Sequence, residues 1–107
     1  MDLLGAQAKL ITDGLSEASH RHRILAANIA NVNTPGYKSK TLEFDEFLEK
    51  NIVKDREGVE PREDGNTVSM EREMADMRKN DLIYRMFLQS MLNKTRQLRK
   101  AISGRNG

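Results

Sequence analysis

The sequence predicts a mainly α-helical fold, with two long terminal helices of coiled-coil type around a turn, a small amphipathic helix and a flexible loop. Apolar residues recur at alternating four- and three-residue spacing through residues 4–32 and again through residues 70–102. Such spacing, sustained over many turns, is the seam of a coiled coil. Proline and glycine interrupt the pattern between the two helices. These observations divide the chain into residues 1–33, 34–67 and 68–107.

The first helix is predicted to be long but weak at its beginning. At ~1.5 Å per residue it spans about 45 Å. Gly5 and Gly14 each destabilise it by roughly 1 kcal/mol relative to alanine. We therefore expect its N-terminal half to order against a partner. Its seam positions are Leu4, Ala8, Ile11, Leu15, Ala18, His22, Leu25, Ile29 and Val32.

The first helix has to end where the middle segment begins. Pro35 disfavours a helical conformation in the residue before it, and Asn33 can close the helix. Pro35 and Gly36 fit the two central positions of a type II turn. Residues 45–51 are predicted as the small amphipathic helix. Residues 54–66 are rich in charge, glycine and proline, which predicts the flexible loop.

The second helix is predicted to start at a polar cap (Asn66, Thr67 or Ser69) and to stop near Gly104. If the two helices pair antiparallel within one chain, His22 lies level with Asp81. The alternative is pairing between subunits. The seam positions are Met70, Met74, Met77, Asp81, Tyr84, Leu88, Met91, Thr95, Leu98 and Ile102.

The composition argues against a catalytic or membrane-spanning protein. There is no cysteine, which excludes disulfides and thiolate metal sites. His20 and His22 are two residues apart, so on a helix they cannot share a metal. We predict no enzyme activity, no catalytic, cofactor-binding or metal residue, and no cofactor. A net charge of +2 gives no reason to expect a nucleic-acid partner, and no apolar run approaches the ~18 residues of a membrane span.

The segment at the end of the first helix is the most unusual part of the chain. From residue 24 to residue 32 it is small or apolar on nearly every side, and a helix of that kind is expected to be buried all round. A chain of 107 residues has little protein to cover it, so other subunits are the expected cover. Ala26, Ala27 and Ala30 allow close helix approach, and Asn28 and Asn31 can hydrogen-bond across such an interface.

Residues 28–38 (Asn-Ile-Ala-Asn-Val-Asn-Thr-Pro-Gly-Tyr-Lys) resemble the signature of flagellar axial proteins of the rod and hook family. The preceding residues 21–26 are similar to those of the same family, and the stretch 38–48 and the helix 68–102 are similar to those of its proximal-rod members. The resemblance implies a structural subunit of the proximal rod of the bacterial flagellar basal body. Such a subunit passes unfolded through the type III export apparatus, without a cleavable signal peptide, and assembles in the periplasm through its terminal helices.

The resemblance also implies partners and packing residues. The partners are the chain itself, other rod subunits, the basal-body ring and the adaptor protein FliE. An alternative interpretation is a soluble coiled-coil adaptor or binding module of the secretion system, which would fold as a stable dimer. The residues expected to pack in the assembly are Leu25, Asn28, Ile29, Asn31, Val32, Pro35, Gly36, Tyr37, Tyr84, Leu88, Met91 and Leu98.

Overall fold

The computed structural model describes residues 3–104, which form two long helices and a β-hairpin between them. Helix α1 is Leu3–Ala30, strand β1 is Lys40–Asp45, strand β2 is Lys50–Asp55 and helix α2 is Met70–Ser103. The helices pair antiparallel within the chain, and the molecule measures 67 × 29 × 16 Å. The prediction of a mainly helical fold is confirmed, while coiled-coil geometry stays a prediction.

The small amphipathic helix predicted over residues 45–51 is wrong, because these residues belong to the hairpin. Strands β1 and β2 pair antiparallel with Leu42 opposite Val53 and Phe44 opposite Asn51. These four side chains share the sheet face that meets α1, where Asn51 Nδ2 donates to Glu17 Oε1 at 2.8 Å. The alternation of apolar residues along β1 therefore has a period of two rather than the helical period.

The loop predicted to be flexible is tied to the rest of the chain. Lys54 and Asp55 end strand β2. Beyond them, the Gly36 backbone N–H donates to the Asp64 carbonyl at 2.8 Å, and the Arg62 guanidinium donates to the carbonyls of Val32 and Val68. The composition is that of a solvated loop, but these long-range hydrogen bonds fix its backbone.

The predicted turns and helix ends are largely confirmed. Helix α1 ends at Ala30, three residues before the predicted boundary. The Tyr37 N–H donates to the Thr34 carbonyl at 3.2 Å, and Gly36 has a φ of 77°, as a type II turn requires. Ser69 caps α2 by accepting from the Arg72 N–H at 3.4 Å. Helix α2 ends at Ser103, followed by Gly104.

The contact line between the helices differs from the predicted seam on α2. In α1, the predicted seam residues Ala18 and Leu25 are buried. In α2, the buried positions are Glu73 and Asn80. Each lies one residue before a predicted seam position, so the face of α2 that packs on α1 is shifted by one residue from the predicted seam. The prediction that Asp81 lies in the seam is wrong, since its side chain is exposed. The apolar core of the described residues is small. It consists of Ala18, Ile24, Leu25, Leu42 and Val68.

A close approach between Gly14 and Phe87 explains this one-residue shift of the packed face of α2. A methyl group at Gly14 would lie 2.4–2.6 Å from three carbons of the Phe87 ring. A larger residue there would displace the Phe87 ring, so glycine favours this packing although it weakens the isolated helix. Two further contacts follow the same antiparallel register: Asn80 Nδ2 donates to the Ala18 carbonyl at 2.7 Å, and Lys94 hydrogen-bonds Gln7.

Candidate functional site

A buried carboxylate lies where α1, the hairpin and α2 meet. Glu73 is 0% exposed. Its Oε1 accepts from Asn28 Nδ2 at 2.9 Å and from the Arg56 guanidinium at 3.3 Å, and its Oε2 accepts from the Ser39 hydroxyl at 2.8 Å. A buried carboxylate is stable only when paired and hydrogen-bonded. We call Asn28, Ser39, Arg56, Asn66 and Glu73 the polar junction.

Asn28 attaches the hairpin to α1 through the backbone of β1. Its amide nitrogen donates to the Lys40 carbonyl at 2.9 Å, and its amide oxygen accepts from the Lys40 N–H at 2.9 Å. This two-point contact is the one that a neighbouring strand would make, so the side chain replaces a strand at the edge of the sheet. The Tyr37 hydroxyl also donates to the Asn28 oxygen at 3.5 Å.

Arg56 links the end of the hairpin to helix α2. Its guanidinium contacts Glu73 and Asp76, each at 3.3 Å, and its Nε donates to the Ser39 hydroxyl at 3.3 Å. The Ser39 oxygen therefore accepts from Arg56 while it donates to Glu73. Every charged group at the centre of the junction thus has an opposite charge or a hydrogen-bond partner.

Asn66 closes the end of helix α1. Its amide nitrogen donates to the carbonyls of Asn31 at 3.0 Å and Thr34 at 2.7 Å, while its oxygen accepts from the Val68 N–H at 2.7 Å. Both carbonyls belong to the turn that follows α1, which ends at Ala30. A side chain 35 positions along the chain from Asn31 thus holds this turn, which fixes the direction in which the chain leaves α1.

The sequence motif that contains Asn28 is shared with known proteins. A family model described as "Flagella basal body rod protein" matches residues 12–38. The flagellar basal body rod protein FlgB of Salmonella typhimurium is 30% identical over 137 residues, covering 99% of both chains. The chain belongs to the FlgB family. FlgB of Aquifex aeolicus is 33% identical over 105 residues, covering 79% of this chain and 83% of its own, and FlgB of Bacillus subtilis is 24% identical over 127 residues.

Membership of the FlgB family makes the chain a structural component of the flagellar basal body rod. The adaptor interpretation is not favoured, since these relatives are all rod proteins. Within residues 3–104, no group of histidine, cysteine and acidic side chains could hold a metal ion. Neither helix in this part of the chain combines the length and the apolar character that a membrane span needs.

The family motif residues divide between the interior and the surface of the chain. Leu25 and Asn28 are buried, whereas Pro35 and Gly36 are exposed. Asn31 donates through Nδ2 to the Ala27 carbonyl at 2.8 Å and accepts from the Thr34 hydroxyl at 3.0 Å. Both amides that the sequence assigned to a subunit interface are thus used inside the chain. The half-buried members of the motif are Ile29, Asn31, Val32 and Tyr37.

The predicted packing residues of α2 lie along one edge of the helix pair. Tyr84, Leu88 and Leu98 are exposed, and Met91 is half-buried. They belong to an apolar strip that α1 covers only in part. His22 and Asp81 were predicted to lie level with each other. In the structure they both line a cavity of about 260 Å³.

No ion pair forms across that cavity between the two helices in the described chain. Asp81 instead bonds Arg85 of its own helix at 2.9 Å.

Sequence reasoning missed Ser39, Arg56 and Glu73 as structural residues. An acid in the first turn of a helix is normally explained by the helix dipole. The sequence feature that could have identified Glu73 is its seven-residue spacing from Asn80 and Phe87. This spacing places the carboxylate on the same face of α2 as two packed side chains.

Proposed function

We propose that the chain is a subunit of the proximal rod, next to the basal-body ring and the adaptor protein FliE, and that it contacts further copies of itself and other rod subunits. The observation that carries this proposal is the uncovered apolar surface at the free ends of both helices. We further propose that the chain reaches the periplasm unfolded, through the type III export apparatus, and has no catalytic role or cofactor.

One end of the helix pair, formed by the first turns of α1 and the last turns of α2, exposes large apolar side chains. Contiguous apolar surface of this kind marks an interaction site. Ile102 is 83% exposed, and its side chain contributes little to the stability of an isolated subunit. We propose that this end, together with the strip of Tyr84, Leu88, Met91 and Leu98, packs against neighbouring subunits in the wall of the rod. The exposed residues at this end are Leu3, Leu4, Leu10, Leu92, Leu98 and Ile102.

The small core supports export in an unfolded state. Five apolar side chains are buried in the described chain, while a stable domain of this size normally buries many more. Cysteine is absent, so no disulfide has to form or break between the exported state and the assembled state. Assembly then supplies the burial that the single chain lacks.

The proposal is tested by locating the full chain, tagged in the loop at Glu60, in basal bodies isolated from the native host. We expect the tagged protein in the rod fraction, and loss of motility on deletion with recovery on complementation. Cross-linking from the helix ends should capture rod subunits and FliE. Motile cells after clean deletion, or a tagged protein found only in the cytoplasm, would contradict the proposal.

A further inference from the structure

We propose that the tip of the β-hairpin of one copy docks in the cavity between the helices and the hairpin of a second copy. The inference rests on the proposed self-assembly and names the surfaces that carry it. The hairpin tip comprises residues 45–49. The receiving cavity, which we call the junction cavity, has a volume of about 320 Å³.

The junction cavity has an apolar floor and two polar groups that lack partners. Its floor consists of Ile24, Leu25, Leu42 and Ile83. Lys79 lines it without an ion pair in the described chain. The Asn80 side chain is 3% exposed, and its oxygen has no hydrogen-bond donor within residues 3–104. A buried acceptor without a donor is unfavourable, so the isolated subunit has an unsatisfied polar group at the wall of this cavity.

The hairpin tip carries apolar side chains with no cover in the subunit. Phe47 is 94% exposed, and Leu48 beside it is also exposed. The loop is held in one shape, because Asp45 Oδ1 accepts from the Leu48 N–H at 2.9 Å and Glu49 has a φ of 54°. A preorganised loop with an outward aromatic loses little conformational entropy when it binds. Aromatic residues of this kind are frequent anchors of interfaces.

The tip and the cavity are complementary in charge as well as polarity. Glu46 and Glu49 flank the two apolar residues of the tip and form no ion pair within the described chain. At the cavity, Lys40 and Arg21 already pair with acids of their own chain. Lys79 is thus the cation left to meet a tip carboxylate when Phe47 enters the apolar floor.

The geometry requires two copies. Leu42 lies at the cavity, and the tip begins three residues further along β1, at about 3.3 Å per residue. A tip therefore points away from its own cavity. A contact between two different surfaces is heterologous, and when its rotation does not close a ring it generates an open helical filament. Filament growth is the assembly that a rod subunit needs.

Disulfide trapping tests this contact directly, because the chain contains no cysteine. Cells would express Glu46→Cys and Lys79→Cys chains together, and isolated basal bodies would be oxidised mildly and separated without reductant. We expect disulfide-linked dimers that depend on both cysteines. The matched control replaces Glu46→Cys by Glu60→Cys, an exposed acid outside the hairpin, which should give dimers only at background level.

Charge exchange tests the same contact without cysteine. Loss of a charge pair at the rim, together with the repulsion that replaces it, should lower incorporation of Lys79→Glu into rods by about tenfold. Adding Glu46→Lys should restore incorporation, while adding Glu60→Lys should not. Circular dichroism of each purified variant confirms folding, which we expect to be unchanged because these side chains are exposed.

The outcomes separate the docking proposal from the proposed function. If the cysteine-bearing chains are present in basal bodies but the Glu46 and Lys79 pair links no more than the control pair, the docking proposal is wrong and the rod assignment stands. If the chains are absent from basal bodies while the unmodified chain is also absent, the proposed function is wrong. Dimers that also form with either single cysteine alone would contradict the assigned surfaces.

Discussion

The two ends of the helix pair are built on different principles. At one end, the last turns of α1, the hairpin and the first turns of α2 are joined by hydrogen bonds around the buried Glu73 carboxylate. At the other end, the first turns of α1 and the last turns of α2 share the hydrogen bond between Gln7 and Lys94 and leave large apolar side chains exposed.

A short chain can therefore adopt one specific geometry without being very stable. Polar networks specify one geometry because each member has few alternative partners, and here they fix where the hairpin leaves the helices. Apolar ends are adaptable, since hydrophobic burial is not directional. The polar junction therefore defines the shape of the subunit, and we propose that burial of the exposed end supplies the free energy of assembly.

The largest effect on the free energy of unfolding is expected for Glu73→Gln. Removing one member of a buried charge network leaves the Arg56 charge without its buried partner and costs about 3 kcal/mol. Urea unfolding followed by circular dichroism measures this loss. Glu71→Gln, an exposed acid in the same turn, is the control and should change little. Equal stability of the two variants would show that the junction does not hold the subunit together.

Asn28→Ala is expected to have the next largest effect. It leaves the Lys40 N–H and C=O without their partner and should cost about 2 kcal/mol. Amide exchange should report the loss as faster exchange in β1. Asn33→Ala, an exposed asparagine of the same motif, should be nearly neutral. If Asn33→Ala were the more harmful change, the motif would stabilise something other than the junction.

Gly14→Ala tests the contact between the two helices that lies between the polar junction and the exposed end. Alanine favours the helix by roughly 1 kcal/mol, but its methyl group meets the Phe87 ring, and such overpacking costs about 1–3 kcal/mol. We expect a net loss of about 1 kcal/mol in thermal or urea unfolding. The double variant with Phe87→Leu should recover stability. A simple gain in stability for Gly14→Ala would mean that the helices do not approach at this point.

Glu49→Asn should stabilise the hairpin slightly. Glu49 has a positive φ, which asparagine adopts more easily, so we expect a gain of about 0.5 kcal/mol. The shift in urea midpoint is the measurement. A loss of stability would indicate that the Glu49 side chain makes contacts that offset its backbone strain.

The exposed helix end gives the smallest expected effect on the isolated subunit. Leu98→Ser combined with Ile102→Ser should leave the free energy of unfolding within about 0.5 kcal/mol of the parent chain, because both side chains are exposed. The same variant should fail to enter rods in cells. A strongly destabilised monomer would show that the end is already packed before assembly.

The sequence predicted the features that depend on neighbouring residues. The turn at Pro35 and Gly36, a polar cap before α2 (with Ser69 one of three candidates) and the stop at Gly104 follow from local backbone preferences. The hairpin was missed because its loop, residues 46–49, lacks the glycine or asparagine of common turns. The strand β1 is held by Asn28 from outside the segment, a contact that no local pattern encodes.

The candidate site was predicted in part for the same reason. The motif residues were found because they form a contiguous, unusually apolar segment. Glu73 was missed since its partners Asn28, Ser39 and Arg56 lie 45, 34 and 17 positions away. The choice of Asn80 over Asp81 as the inner residue depended on the fit of Phe87 against Gly14, which is a matter of shape rather than of hydrophobic spacing.

Hydrogen exchange of the monomer, read residue by residue, distinguishes an end that is ordered by its own chain from an end that awaits partners. We expect slow exchange at residues 18–30 and 70–80, and fast exchange at residues 3–10 and 92–103. We also expect the second pair of segments to become protected in assembled rods. Equal protection along the whole of both helices in the monomer would show that the two ends do not differ in this way.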